Sequence, residues 1–157
     1  MTDVKELINA FCERLGIKSE ANAEGVYAFE VDALEFAVHD LSEQRRVALV
    51  GDLGFIPEKH PEGLFRLMLE AQHCFRETEG SVFSIDRERD RLTLNHLLSS
   101  SELDNETFFN EVERFVNQLE AWAHIIRDYN GQKVEDKGRQ DEIDAPESAF
   151  DIYHRMV

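Results

Sequence analysis

The sequence contains few cysteines, which could form disulfide bonds, and few prolines, which interrupt helices and strands. Its 157 residues include two cysteines, Cys12 and Cys74, and three prolines. Both cysteines fall within apolar helical patterns and form no disulfide framework, so we expect two buried free thiols. No low-complexity linker is present. A chain of this length corresponds to one domain with a sizeable core.

Long apolar runs are also missing. Residues 1–5, Met-Thr-Asp-Val-Lys, have neither the basic start nor the apolar stretch of a signal peptide. No segment approaches the roughly 20 apolar residues that a membrane-spanning helix requires. The sequence therefore predicts a soluble, cytoplasmic protein.

Positive charge is scarce. Lysine and arginine number 17 against 33 aspartates and glutamates, which gives a formal charge of −16. Such a field repels phosphate backbones and anionic lipid surfaces, so we expect neither nucleic acid nor membrane as a partner. The same charge favours solubility, which suits a protein that binds aggregation-prone partners.

A catalytic or metal site is not recognisable. The six histidines form no helical metal-binding spacing, and the cysteines form no Cys-x-x-Cys pair. Residues 51–54, Gly-Asp-Leu-Gly, lack the lysine and the serine or threonine of a phosphate-binding loop. The alternating acidic and basic residues 86–91 lack the glycine that a calcium loop needs at its bend, and they favour a solvated hairpin tip. We therefore expect a non-enzymatic protein without a cofactor.

The hydrophobic pattern begins as a helix and then changes to strands. Residues 3–15 place apolar side chains at helical spacing, and Gly16 suits the left-handed position after a helix. Three short segments with a period of two follow, at residues 27–31, 34–38 and 47–53. They predict an antiparallel meander.

The second half of the chain repeats this change of period. A helix is predicted from Pro61 to about Arg76 or Glu77, then a hairpin of residues 82–85 and 92–98. A last helix follows, with its apolar stripe over residues 108–126 and its end at Gly131. The predicted fold is α+β in the order α-β-β-β-α-β-β-α, a twisted antiparallel sheet with flanking helices. Residues 1–130 form the domain, and residues 131–157 form an acidic polar tail that we expect to be flexible.

The second predicted helix is apolar on two sides. One stripe contains Leu64, Leu67, Met68, Ala71, Cys74 and Phe75, while Phe65 and Leu69 lie outside it. A helix with two apolar sides needs two surfaces to cover it, and one sheet covers only one. The other side is therefore a candidate subunit interface.

The second face of the meander is only partly polar. It carries Val26, Ala28, Ala33, Ala37, Ala48 and Val50. An exposed face of this kind, on a sheet with a free edge, is a site where another chain adds a strand or buries apolar residues. The alternative is that the last helix covers it.

Several segments together resemble class I type III secretion chaperones of the Tir chaperone (CesT-like) family. The first helix contributes Leu-Ile-Asn-Ala-Phe at residues 7–11 and Leu-Gly-Ile at residues 15–17. The strands contribute Ala-Phe-Glu-Val-Asp at residues 28–32 and Gly-Asp-Leu-Gly-Phe-Ile-Pro at residues 51–57. The second helix contributes Leu-Met-Leu-Glu-Ala-Gln at residues 67–72. The resemblance covers roughly residues 1–130.

The resemblance implies a homodimer that binds a secreted effector and performs no catalysis. The second long helix and the fourth strand would build the dimer interface, from Leu64, Leu67, Met68, Ala71, Phe75, Phe83 and Ile85. An extended segment near the effector's N-terminus would bury apolar residues in grooves by the first helix and the meander. The candidate effector-binding residues are Val4, Leu7, Ile8, Phe11, Phe29, Leu34, Phe36 and Val38. The complex would be recognised by the secretion machinery and its ATPase, and the effector would stay soluble and export-competent.

Two other functions are compatible with the sequence. The first is a regulatory module of the same fold that sequesters a secretion regulator. The second is a small-molecule-binding or enzymatic α+β domain, which a deep polar pocket with converging ionisable groups would favour.

Overall fold

A computed structural model describes residues 3–135 as three helices and one five-stranded sheet. The helices are α1 (Val4–Leu15), α2 (Glu62–Gln72) and α3 (Asn105–Glu135). The strands are β1 (Val26–Val31), β2 (Leu34–Leu41), β3 (Arg46–Phe55), β4 (Val82–Asp86) and β5 (Arg91–Ser99). The sheet is antiparallel in the order β1-β2-β3-β5-β4. The predicted α+β fold and the predicted order of elements are confirmed.

Helix α1 has well-defined ends because both its caps are satisfied. The Asp3 side chain accepts a hydrogen bond from the backbone N–H of Lys5 at 3.0 Å. At the other end Gly16 has φ of 66°, a left-handed conformation that glycine adopts without strain. Between the caps, α1 turns an apolar face towards the sheet.

The core lies between one face of the sheet and helices α1 and α3. Phenylalanines connect the layers: Phe11 of α1 contacts Phe29 of β1 and Phe108 of α3 edge to face. Phe36 of β2 contacts Phe115 of α3 in the same manner. Gly51 of β3 leaves room for the side chain of Leu119, which a Cβ at position 51 would overlap. These contacts assign α3 to this face.

Helix α2 ends earlier than predicted, at Gln72. The chain continues as a short 3-10 turn in which Cys74 and Phe75 have φ of 58° and 57°. The turn rotates both side chains outward, so the prediction that Cys74 is buried is wrong. Cys12 is buried as predicted.

Helix α3 continues past the predicted end. Gly131 lies inside the helix, which extends to Glu135, so the prediction that Gly131 ends it is wrong. A glycine inside a helix costs only about 1 kcal/mol relative to alanine, which is too little to stop a helix of this length. The remainder of the predicted acidic tail lies outside the described residues. Within residues 3–135, no helix combines the length and apolar character needed to cross a membrane.

Candidate partner-binding surface

The sheet has one packed face and one open face. Side chains alternate between faces along each strand, and α1 and α3 occupy the face that holds Phe36 and Leu49. The opposite face, here called the exposed sheet face, is uncovered in the described chain. It consists of Val26, Ala28, Glu30, Glu35, Ala37, His39, Ala48, Val50, Asp52, Thr93, Asn95 and Leu97. The alternative that the last helix covers this face is therefore excluded.

Two cross-strand rows make the centre of this face apolar. The strand register aligns Val26, His39, Ala48 and Leu97 in one row. The second row aligns Ala28, Ala37, Val50 and Asn95. Leu97 is 56% exposed. The face forms an open groove of about 880 Å³ that reaches from β1 to the β4–β5 hairpin. Small apolar side chains form its floor, so another backbone can approach closely.

Charged side chains collect at one end of the groove. Arg91 donates to Asp52 through Nε and Nη2, at 2.9 and 2.8 Å, in a bidentate pair. Its guanidinium also lies 4.0 Å from the ring centroid of Phe55. Arg89, in the β4–β5 turn, lies 3.6 Å from Asp52 and 3.9 Å from Glu35. Residues 86–91 therefore form the end of the β4–β5 hairpin, as predicted. Their arginines make ion pairs with acidic residues of β2 and β3.

The free edge of β1 is covered along half its length. Asn22 donates its backbone N–H to Val26 O and accepts the N–H of Val26 on Oδ1, both at 3.0 Å. The Ser19 hydroxyl donates to Ala28 O at 3.2 Å. These bonds show that alternate residues, Val26, Ala28 and then Glu30, direct their backbone groups away from β2. The covering bonds end at Ala28, so the edge is accessible around Glu30.

Seven of the eight predicted effector-binding residues lie in the core. They are Val4, Leu7, Ile8, Phe11, Phe29, Phe36 and Val38, none more than 7% exposed. Leu34 is partly buried against the same core. In this conformation a partner does not reach the seven side chains directly. Their contact with an effector stays a prediction, and the accessible surface on these strands is the exposed sheet face.

The predicted dimer-interface residues divide into three groups by burial. Leu64, Met68 and Ala71 are buried in the core, while Leu67 and Phe83 are partly buried against it. Phe75 and Ile85 are 51% and 49% exposed. The remaining apolar side of α2 is a shallow groove of about 690 Å³ that includes Phe65 and Leu69, and Leu69 is 65% exposed. The helix therefore has the two apolar sides predicted, and the outward side holds residues the sequence had not assigned.

Burial lowers the pKa of two histidines, His39 on the exposed sheet face and His96 on the packed face. His96 lies on β5 with Nδ1 3.0 Å from the Ser81 hydroxyl and Nε2 3.8 Å from Glu111 Oε2. Burial lowers the pKa of His96 below its ordinary 6.5; Glu111 opposes this effect and Arg114 adds to it. Burial also lowers the pKa of His39, against the influence of Glu24. Since 3.8 Å is too long for a hydrogen bond, desolvation outweighs the attraction to Glu111.

The lowered pKa of His96 predicts a loss of stability in mild acid. Its folded-state pKa lies below the unfolded value near 6.5, so the unfolded chain binds more protons as pH falls through this range. The free energy of unfolding should therefore be highest above pH 7 and decline below about 6.5. Urea unfolding at pH 7.5 and 5.8 measures the decline, and His96→Gln should reduce it. An equal decline in His96→Gln would contradict this assignment.

Comparison with known proteins identifies the fold. The chain has a TM-score of 0.68 and 22% identity to the structure described as the ExsC–ExsE complex, covering 77% of this chain and 91% of that one. For the HopA1–SchA chaperone–effector complex the values are 0.59 and 16%, covering 76% and 89%. For the Yersinia pestis type III secretion chaperone SycH in complex with a fragment of YscM2 they are 0.54 and 16%, covering 73% and 94%. These likenesses show a shared fold.

The family follows from the sequence match itself. None of the curated proteins matches the chain. The model of the Tir chaperone protein (CesT) family matches residues 6–123, three quarters of the sequence. The resemblance noted from the helix and strand segments is thereby confirmed. The chain belongs to the Tir chaperone protein (CesT) family.

Proposed function

We propose that this protein is a cytoplasmic type III secretion chaperone that holds an extended N-terminal segment of a cognate effector on the exposed sheet face. One observation carries the location: a groove of about 880 Å³ with a floor of small apolar side chains lies on an uncovered sheet face. Helices α1 and α3 pack against the opposite face, which holds the core residues Phe36 and Leu49. Family membership and the likeness to chaperone–effector complexes support the partner class.

The proposed mechanism is ordering of a disordered segment without folding it. Fixing one residue's backbone costs roughly 1–2 kcal/mol. Burial of apolar surface offsets this cost at about 25 cal/mol per Å², and strand pairing beside Glu30 adds hydrogen bonds. Because the groove accepts an extended chain, the bound effector region stays unfolded and competent for export. The secretion ATPase would then receive the complex.

We also propose that the protein acts as a homodimer through the outward side of α2. Phe65 and Leu69 form its groove, and Phe75 and Ile85 add exposed apolar area at the following turn and on the edge strand β4. The core residues Leu64, Met68 and Ala71 would support this surface from beneath, with Leu67 and Phe83 at its border. A symmetric pairing would present each of these side chains twice.

A charge placed in the groove floor should abolish effector binding. Val50 lies in the central apolar row, so Val50→Asp leaves an unpaired carboxylate against the bound segment. Such a group costs several kcal/mol when buried. We expect at least a tenfold loss of the protein that co-purifies from the native host, with the thermal midpoint of the free chain little changed. Mass spectrometry identifies the partner, and hydrogen exchange establishes whether its bound segment is otherwise disordered.

The matched control is Leu15→Asp, at an exposed apolar residue at the end of α1. It should leave co-purification unchanged. If Leu15→Asp removes the partner and Val50→Asp does not, the groove by the first helix is the binding site and the exposed sheet face is not. If the partner binds only as a folded domain with protected amides, the chaperone mechanism is wrong.

A further inference from the structure

Two carboxylates face each other on the exposed sheet face. The register of β1 and β2 places Glu30 opposite Glu35. Because Glu30 follows Val26 and Ala28 in directing its backbone outward, this is a non-hydrogen-bonded pair, the kind whose side chains lie closest together. Like charges placed directly opposite one another destabilise a sheet. The free protein therefore retains an unfavourable arrangement at one end of its groove.

Nearby cations compensate this pair only weakly. Arg89 lies 3.9 Å from Glu35, longer than a hydrogen bond, and is shared with Asp52 at 3.6 Å. Arg91 is committed to Asp52 by the bidentate contact. Among residues 3–135, no cation within ion-pair distance of Glu30 is described. The two carboxylates thus leave net negative charge unneutralised.

The rest of the groove lining has the same sign. Glu24, Asp86 and Glu88 also line it, and Arg89 is its only lysine or arginine in the described chain. An apolar floor bordered by carboxylates is complementary to a segment that combines small apolar side chains with basic ones. The whole chain, with its formal charge of −16, attracts such a segment from a distance.

We propose that the segment bound on the exposed sheet face carries a lysine or arginine that docks between Glu30 and Glu35. This inference rests on the proposed function and specifies the chemistry of the partner. The incoming cation is attracted to both carboxylates and offsets one of their two charges, so binding relieves part of the repulsion that the empty protein bears. Small apolar residues beside the cation lie on the row formed by Ala28, Ala37 and Val50. The acidic pair thereby sets the register of the segment as well as its charge.

Synthetic peptides test the proposal on the full chain. The first probe is a fluorescein-labelled nonapeptide with valine at every second position, and the positions between hold threonine and two lysines. In the second probe, glutamates replace the two lysines. In 50 mM salt the lysine peptide should bind at least tenfold more tightly than the glutamate peptide. The difference should shrink in 500 mM salt because exposed charges are then screened. The double substitution Glu30→Gln and Glu35→Gln should reduce the preference below threefold, whereas Glu113→Gln, on the surface of α3, should not.

A second measurement detects the repulsion itself. Glu30→Gln should raise the thermal midpoint of the free protein by about 1–3 °C, since it removes a like-charge pair. The proposal is overturned if the lysine peptide does not bind, or if it binds no more tightly than the glutamate peptide. It is also overturned if the double variant keeps the full preference for the lysine peptide, or if Glu30→Gln lowers the thermal midpoint. If the double variant still recovers its native partner at the wild-type level, the charge inference fails while the chaperone function stands. If the wild type recovers no partner, the proposed function itself fails.

Discussion

Replacing Leu69 with glutamate is expected to convert the proposed homodimer into a folded monomer. Leu69 is 65% exposed on the outward side of α2, so the substitution removes little packing within one subunit. In a twofold interface it introduces two desolvated carboxylates, each costing several kcal/mol. Because 1.4 kcal/mol is a factor of ten, the dimer Kd should rise by roughly 100-fold or more. Sedimentation equilibrium measures the association, and circular dichroism confirms that the fold persists.

The matched control is Ile17→Glu, at an apolar residue 38% exposed that follows α1. It should leave the dimer intact. Met68→Glu is a poorer test of the interface, because Met68 is 3% exposed and its substitution would unfold the subunit itself. A dimer that survives Leu69→Glu with unchanged Kd would remove α2 from the interface.

Replacing Trp122 with alanine is expected to lower the free energy of unfolding more than any other substitution proposed for this protein. Trp122 of α3 is 2% exposed and contacts Phe83 of β4 edge to face, with ring centroids 4.7 Å apart. Its indole Nε1–H donates to Glu77 O at 3.2 Å. Truncating a buried tryptophan costs about 3–5 kcal/mol. The thermal midpoint should fall on the order of 10 °C for a chain of this size.

A smaller substitution and a surface substitution separate the causes. Trp122→Phe retains most of the buried apolar area but loses the hydrogen bond to Glu77, so its effect should be less than half as large. His124→Ala, two residues away on an exposed part of the helix, should change the midpoint by less than 2 °C, as surface substitutions usually do. A Trp122→Ala midpoint within 2 °C of the wild type would show that α3 does not depend on this contact.

Most of the fold was predictable because periodicity and caps agree in this sequence. Asp3 and Gly16 bound a helix whose apolar residues recur at one spacing, and the strands carry a clean period of two. The errors lie at the ends of helices, which local sequence signals determine least well. Helix α3 continues through Gly131 to Glu135, because one glycine costs a helix only about 1 kcal/mol. A 3-10 turn ends α2 before Cys74, which is exposed.

The proposed binding surface was less predictable, since alternation separates the two faces of a strand but does not say which one the helices cover. The sequence interpretation selected the larger side chains, such as Phe29 and Phe36, as effector contacts. Large apolar side chains fill the interior most effectively, and the structure places them there. The smaller ones, Ala28, Ala37 and Val50, remain on the open face. On α2, similarly, the sequence showed two apolar sides but could not say that Leu69 faces outward.

The bonds from Asn22 and Ser19 to β1 have a consequence for the protein when it carries no cargo. An unprotected edge strand is a template on which further copies of a chain can polymerise. In this protein the hydrogen bonds from Asn22 and Ser19 already use the outward backbone groups of Val26 and the carbonyl of Ala28. The part of the edge that stays open carries the charged side chain of Glu30. Two empty copies that met edge to edge would find few free backbone groups and would bring their carboxylates together. These two features therefore disfavour fibre formation by the protein without cargo. The β1 edge around Glu30 stays available to a short segment of a different chain.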